Sequence, residues 1–225
     1  MSVVSQLRID SQAHHKSRTA AIDNHPSIFT DIYQEDVNIA IWKRELSNDV
    51  KADVKDLLKN RGNYREAFIA TPQNTYAQLV ELGDEFRSAH ALCEDIAELV
   101  DMFCLLNDQK QAGLRLAVLD DVMCPRFHTD KVPCRLICTY HGVTTEWLPH
   151  NKADRSKLGR GNDGLADDKS GIYQSEDDIN QLEIGDVAML KGEIWPGNEN
   201  AGLIHRSPKV PDGHKRLLLT LDFCD

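Results

Sequence analysis

The chain has 225 residues and a formal net charge of −10, enough length for one large or two small domains with a substantial buried core. Its basic residues gather only in short pieces such as 152–160, which argues against nucleic-acid binding, because neutralising phosphates needs a dense positive surface. No apolar run approaches the roughly 20 residues that cross a bilayer. The first residues, with Arg8, Asp10, His14, His15 and Lys16, lack the apolar core of a signal peptide, so the expected location is the cytoplasm and no membrane partner is expected.

Residues 1 to about 40 are mixed and polar, with Ile22, Ile28, Phe29, Ile32 and Tyr33 as scattered apolar positions. From Trp42 to Lys59, Leu46, Val50, Val54, Leu57 and Leu58 recur at helical spacing among charges and predict an amphipathic helix, which Arg61-Gly62-Asn63 ends. A short strand is expected at Phe68 to Ala70. After Pro72 a long helical stretch runs to about Leu106 with a break near Gly83, carrying Leu79, Leu82, Phe86, Leu92, Ile96, Leu99, Val100 and Phe103. Asn107 to Gln111 turns into a strand-rich half. Strands are predicted at Leu114–Leu119, at Arg135–Tyr140, after the Gly185-Asp186 turn, and over Lys215–Leu221. His150 to Gly171 holds four glycines and just two apolar residues larger than alanine, Leu158 and Leu165, which reads either as a solvated loop or as a lid. Gly159-Arg160-Gly161 is no phosphate loop, because no Gly-Lys-Ser and no strand-to-helix frame follow it.

The chemistry gathers at His128-Thr129-Asp130, His205 and Arg216. In a strand alternate side chains share a face, so His128 and Asp130 can reach one ion together. A later histidine, His205, completes two imidazoles and one carboxylate, the ligand set that holds non-haem Fe(II) with open positions. Alternation on the terminal strand turns Arg216, Leu218 and Thr220 to one face, and a guanidinium fork there suits the distal carboxylate of a keto acid. Arg135, alternating with Ile137 and Thr139, is a second candidate clamp for that cosubstrate. Bland readings stand beside these. His128 and Asp130 can form a hydrogen-bonded turn, His205 can cap its loop, and Arg216 can pair with Asp222 or Glu146. His141 is a spare ligand by proximity, while His150 and His214 read as surface residues. Trp147 and Trp195 read as rim packing.

The region from about Arg115 to Phe223 resembles the double-stranded β-helix of the Fe(II)/2-oxoglutarate oxygenases. It departs from them where some members carry Arg-x-Ser, since this chain has Arg216-Leu217-Leu218. A longer set of motifs, Cys124-Pro125-Arg126-Phe127-His128-Thr129-Asp130, Thr145-Glu146-Trp147-Leu148-Pro149, Leu190-Lys191-Gly192-Glu193 with Trp195-Pro196-Gly197, and His205-Arg206-Ser207-Pro208, is similar to the bacterial proteins grouped as DUF1826. The resemblances imply an α+β protein: a helical N-terminal portion (1–110) packed on a jelly-roll or cupin-like double-stranded β-helix (111–225), together one compact unit. They also imply Fe(II) on His128, Asp130 and His205, with 2-oxoglutarate anchored by Arg216 and an unidentified substrate hydroxylated. The competing expectation is a non-catalytic protein holding Zn(II) on the same ligands, and a third is a cupin-like isomerase or hydrolase without redox chemistry. The six cysteines (93, 104, 124, 134, 138, 224) form no Cys-x-x-Cys pair and match no standard zinc spacing, so they are expected as reduced bystanders.

Overall fold

The computed structural model describes residues 17–60 and 62–224. Arg8, Asp10, His14, His15 and Lys16, together with Arg61 of the expected helix stop, lie outside the described residues. Ten strands and five α-helices follow one another as β1 (Thr19–Asp23), β2 (Val37–Trp42), α1 (Asn48–Asn60), β3 (Tyr64–Ala70), α2 (Thr75–Glu81), α3 (Asp84–Ser88), α4 (His90–Leu106), β4 (Ala112–Leu119), β5 (Cys134–His141), β6 (Glu146–Leu148), α5 (Asp167–Ser170), β7 (Asn180–Gln181), β8 (Val187–Lys191), β9 (Ile204–Arg206) and β10 (Arg216–Asp222). The architecture is mixed α+β, with a seven-stranded sheet in the order β1-β2-β8-β5-β10-β4-β3 and a three-stranded sheet in the order β7-β6-β9.

The large sheet has two different faces, and strand alternation decides which residue serves which. Leu217, Leu219 and Leu221 of β10, Leu136, Cys138 and Tyr140 of β5, and Leu114, Leu116 and Val118 of β4 join one apolar cluster with the helices. Into the same cluster α4 sends Leu92, Ile96, Leu99, Val100 and Phe103, the three-and-four spacing of an amphipathic helix. Each such side chain, fully buried, contributes about 1.5–3 kcal/mol. On the other face Ile39, Ile41, Ile137, Ala188 and Leu190 meet Trp147 of β6 and Leu203, so the small sheet packs over the β2-β8-β5 side. A half-buried Arg44–Asp95 pair, which Tyr140 joins through its hydroxyl at 2.5 Å, ties α4 to β5 and the segment after β2.

Three differences from the sequence reading have simple causes. The N-terminal portion is not helical throughout, because β1, β2 and β3 from residues below 110 belong to the large sheet. β2 is buried at its first five positions, so Val-Asn-Ile-Ala-Ile shows no polar alternation, and Trp42 ends a strand rather than starting a helix. The long helix beyond Pro72 is three helices. Gly83 makes the first break at φ 148°, a backbone region that favours glycine. Cys93 and Cys104 are buried on α4, and Cys134 and Cys138 are buried on β5. Trp147 is core rather than rim. Among the described residues, no helix is long and apolar enough to cross a membrane.

Candidate metal centre

His128 lies in the segment between β4 and β5, but its backbone is held by the small sheet. Its N–H donates to the His205 carbonyl at 3.0 Å, and the His205 N–H donates back at 3.0 Å. His205 is the middle residue of β9 and faces Trp147 across the ladder with β6. The two imidazole rings therefore lie side by side, with centroids 4.6 Å apart. Asp130 is fixed two residues on, where its carbonyl accepts from the Glu193 N–H at 2.9 Å. That approach needs Gly192, since a Cβ there would stand 1.9 Å from the Val132 carbonyl oxygen. The Leu190-Lys191-Gly192-Glu193 motif thus lets the end of β8 pass close beneath the turn that carries Asp130.

Among the described residues these three offer one ligand atom each, all within 4.8 Å of one another, and no other group of three does so. His128 Nε2 is 3.7 Å from Asp130 Oδ1, and His205 Nε2 is 3.4 Å from Asp130 Oδ2. The outer nitrogens set the tautomers. His128 Nδ1 lies 2.9 Å from the Arg126 carbonyl and His205 Nδ1 3.3 Å from the Leu203 carbonyl. A carbonyl can only accept, so each Nδ1 carries a proton and Nε2 is the atom left to ligate an ion. Burial pushes the His128 imidazole below its ordinary value, and the neighbouring His205 adds to this. Burial alone would raise Asp130, but His205, Arg135 and His128 outweigh it and hold the carboxyl at about 2. A neutral imidazole beside an ionised carboxylate is the donor chemistry a divalent ion needs.

Arg135 is committed to two carboxylates. Its Nη1 donates to Asp130 Oδ2 at 2.7 Å, and its Nε and Nη2 donate to Asp222 at 2.7 and 3.0 Å. It holds Asp130 in place and has no fork left for a cosubstrate. Arg115 also donates to Asp222. Arg216 is held by hydroxyls and not by a carboxylate. It is 1% exposed, and its partners are three hydroxyls: Ser207 at 2.7 Å, Thr145 at 2.8 Å and Thr139 at 3.4 Å. Its Nε has no partner. The two carboxylates considered for it are taken, Asp222 by Arg135 and Arg115, and Glu146 by Arg206 at 2.6 Å. Burial with no compensating charge lowers the guanidinium to about 10. Thr145 and Ser207, which hold it, line the same cavity as His128, Arg135, His205 and Thr220.

Sequence reasoning missed the hydroxyl cradle of Thr145, Ser207 and Thr139, which no spacing rule brings together. His141 sits exposed at the end of β5, and His214 is exposed beside Asp212. Cys124 lines the cavity but stays outside the three-residue cluster. The 150–171 stretch is a folded clasp of short 3-10 turns and α5. From it Asp167 accepts from the Phe127 N–H and from Arg206, both at 2.9 Å, while Arg126 donates to the Leu165 carbonyl at 2.7 Å. Asp167→Ala would leave the buried Phe127 N–H, next to His128, without an acceptor. A stability loss of about 1–3 kcal/mol is expected. Chemical denaturation measures it, and an unchanged midpoint would show that the clasp does not support the histidine.

The model of the family described as "Protein of unknown function (DUF1826)" matches residues 23–222. None of the curated proteins matches the chain. Among solved structures, an oxidoreductase of the 2OG-Fe(II) oxygenase family from Burkholderia pseudomallei is 10% identical, with 92% of this chain and 94% of that chain covered and a TM-score of 0.46. A prolyl-4-hydroxylase from Pseudomonas putida is 12% identical, with 88% and 96% covered and a TM-score of 0.46. At that identity no residue role carries over, and what the centre does rests on its own geometry.

Proposed function

This chain belongs to the DUF1826 family, and we propose that it is an Fe(II)- and 2-oxoglutarate-dependent oxygenase built on a double-stranded β-helix, the two facing sheets described above. The observation that carries the reading is the pairing of a two-histidine, one-aspartate cluster with a buried guanidinium that has no counter-charge. An unpaired buried charge costs several kcal/mol, a cost that an arriving anion would relieve. The distal carboxylate of 2-oxoglutarate is such an anion, and its keto-acid end suits a metal with open positions.

His128, Asp130 and His205 would hold the iron, which when bound supplies oxygen activation coupled to oxidation of the keto acid. The residues do the rest. Arg135 keeps the Asp130 carboxylate ionised and aimed at the two Nε2 atoms. Arg216 offers its fork to the distal carboxylate. Thr145 and Ser207 accept from Arg216, so their own hydroxyl protons remain to donate to the same anion. Leu218 and Ile137, beside Thr220, line the cavity and exclude water from it. The zinc-holding alternative accounts for the ligands but leaves Arg216 without an anion. Anaerobic addition of 2-oxoglutarate to Fe(II)-loaded protein should produce a visible charge-transfer band at one equivalent. If no band forms and calorimetry detects no binding, the oxygenase reading is lost.

A further inference from the structure

The metal cavity continues into a larger one. Met123, Arg135, Leu218 and Thr220 line both the space at the histidines and a neighbouring cavity of about 300 Å³ that lies over β3 and β4. The small sheet packs against the β2-β8-β5 side, so the β4-β3 end carries no such cover, and β3 is the outermost strand. Along β3 alternation separates the charges. Arg65 and Ala67 stand opposite Ala117 and Arg115 on the face that carries the metal, whereas Glu66, which also borders the cavity, stands opposite Leu116 of the helix-side core. The floor between the arginines is small, Ala67 and Ala117, and its inner wall is Leu218 and Met123.

The charges on this face do not cancel. Arg115 and Arg135 share the single carboxylate of Asp222, and Arg135 also serves Asp130, which belongs to the metal cluster. The Arg65 side chain is exposed and has no hydrogen bond or ion pair. In a protein whose net charge is −10, Arg65 is therefore the positive charge on this cavity that no carboxylate pairs. We infer that the substrate is a small anionic molecule, a carboxylate or phosphate on a short apolar body, with its head group on Arg65 and Arg115 and its apolar part against Met123 and Leu218 toward the metal. The inference rests on the oxygenase reading for the word substrate. The anion site itself does not need that reading.

The test uses three probes with one apolar body: hexanoate, hexyl phosphate and hexanol. Calorimetry is run on the Zn(II)-loaded protein with saturating 2-oxoglutarate, so that Arg216 is already occupied. At least one anion should bind about tenfold tighter than hexanol or better, as charge-assisted hydrogen bonds to a guanidinium would give. The anion that binds tighter identifies the head group. Arg65→Gln should remove most of that preference and Arg65→Glu all of it, with hexanol unaffected. Arg65 is exposed and unpartnered, so neither change threatens the fold. Equal binding of the three probes to the native protein, or a preference that survives Arg65→Glu, overturns the inference. If 2-oxoglutarate itself fails to bind, the oxygenase reading falls separately. The probes are then read on metal-loaded protein alone, where loss of the preference in Arg65→Glu still marks the cleft.

Discussion

Replacing His128 or Asp130 by alanine is expected to abolish stoichiometric binding of Fe(II), or of Zn(II) as its stand-in, while the protein remains folded. Each residue supplies one of three donors, and even a residue behind a ligand is commonly worth 10- to 100-fold in affinity, so loss of a donor itself should cost about 100-fold or more. The fold should survive because neither side chain belongs to the apolar clusters. Asp130→Ala removes one partner of Arg135, but Asp222 still takes two of its N–H groups at 2.7 and 3.0 Å. Elemental analysis after anaerobic loading and desalting, beside circular dichroism, reads both halves of the prediction. Full occupancy in both variants would remove the cluster from any metal role. The Asp167→Ala change should leave the donors intact, so its metal affinity should fall far less than that of either ligand variant.

The parts of this site that could be read from the sequence are those whose geometry is local. A one-residue gap puts His128 and Asp130 on one side of an extended segment, and period-two alternation turns Arg216, Leu218 and Thr220 to one face of β10. The structure brings His205 to this pair through the backbone bridge with His128, a contact between β9 and a loop that no local pattern encodes. What stayed hidden depends on tertiary pairing. Arg135 looked like a free clamp because Asp222, its partner 87 positions later, meets it only when β5 pairs with β10. The strand β2 was invisible because a strand covered on both faces loses the polar alternation by which strands are recognised. The 150–171 stretch looked unstructured from its composition. Its order comes from a few polar anchors, Asp167 above all, which bind backbone groups far away in the chain.

Arg216 yields the sharpest separation between a binding residue and a structural one. Arg216→Lys keeps a cation but gives up the planar fork, so 2-oxoglutarate affinity should fall about 10- to 100-fold, the loss of roughly 1.5–3 kcal/mol of charge-assisted hydrogen bonding. Metal content should not change, because the guanidinium is no part of the three-residue cluster. Arg216→Met goes further. It removes a buried charge that has no carboxylate partner, leaving behind three hydroxyls that have been accepting from it. Relief of the desolvation cost offsets the loss of those hydrogen bonds, so apo stability should stay level or rise by up to about 2 kcal/mol. Binding of 2-oxoglutarate should disappear. An arginine kept for structure alone would behave the other way round: Arg216→Met would destabilise the apoprotein by about 3 kcal/mol or more and leave cosubstrate affinity nearly unchanged wherever the protein still folds. Denaturant unfolding of the apoprotein and anaerobic titration of the Fe(II) form, run on the same three proteins, distinguish the two. A band of native intensity and native midpoint in Arg216→Met would sink Arg216 as the anchor. Since Arg135 is bound to Asp130 and Asp222, and Arg206 to Glu146 and Asp167, the cosubstrate would then need another cation.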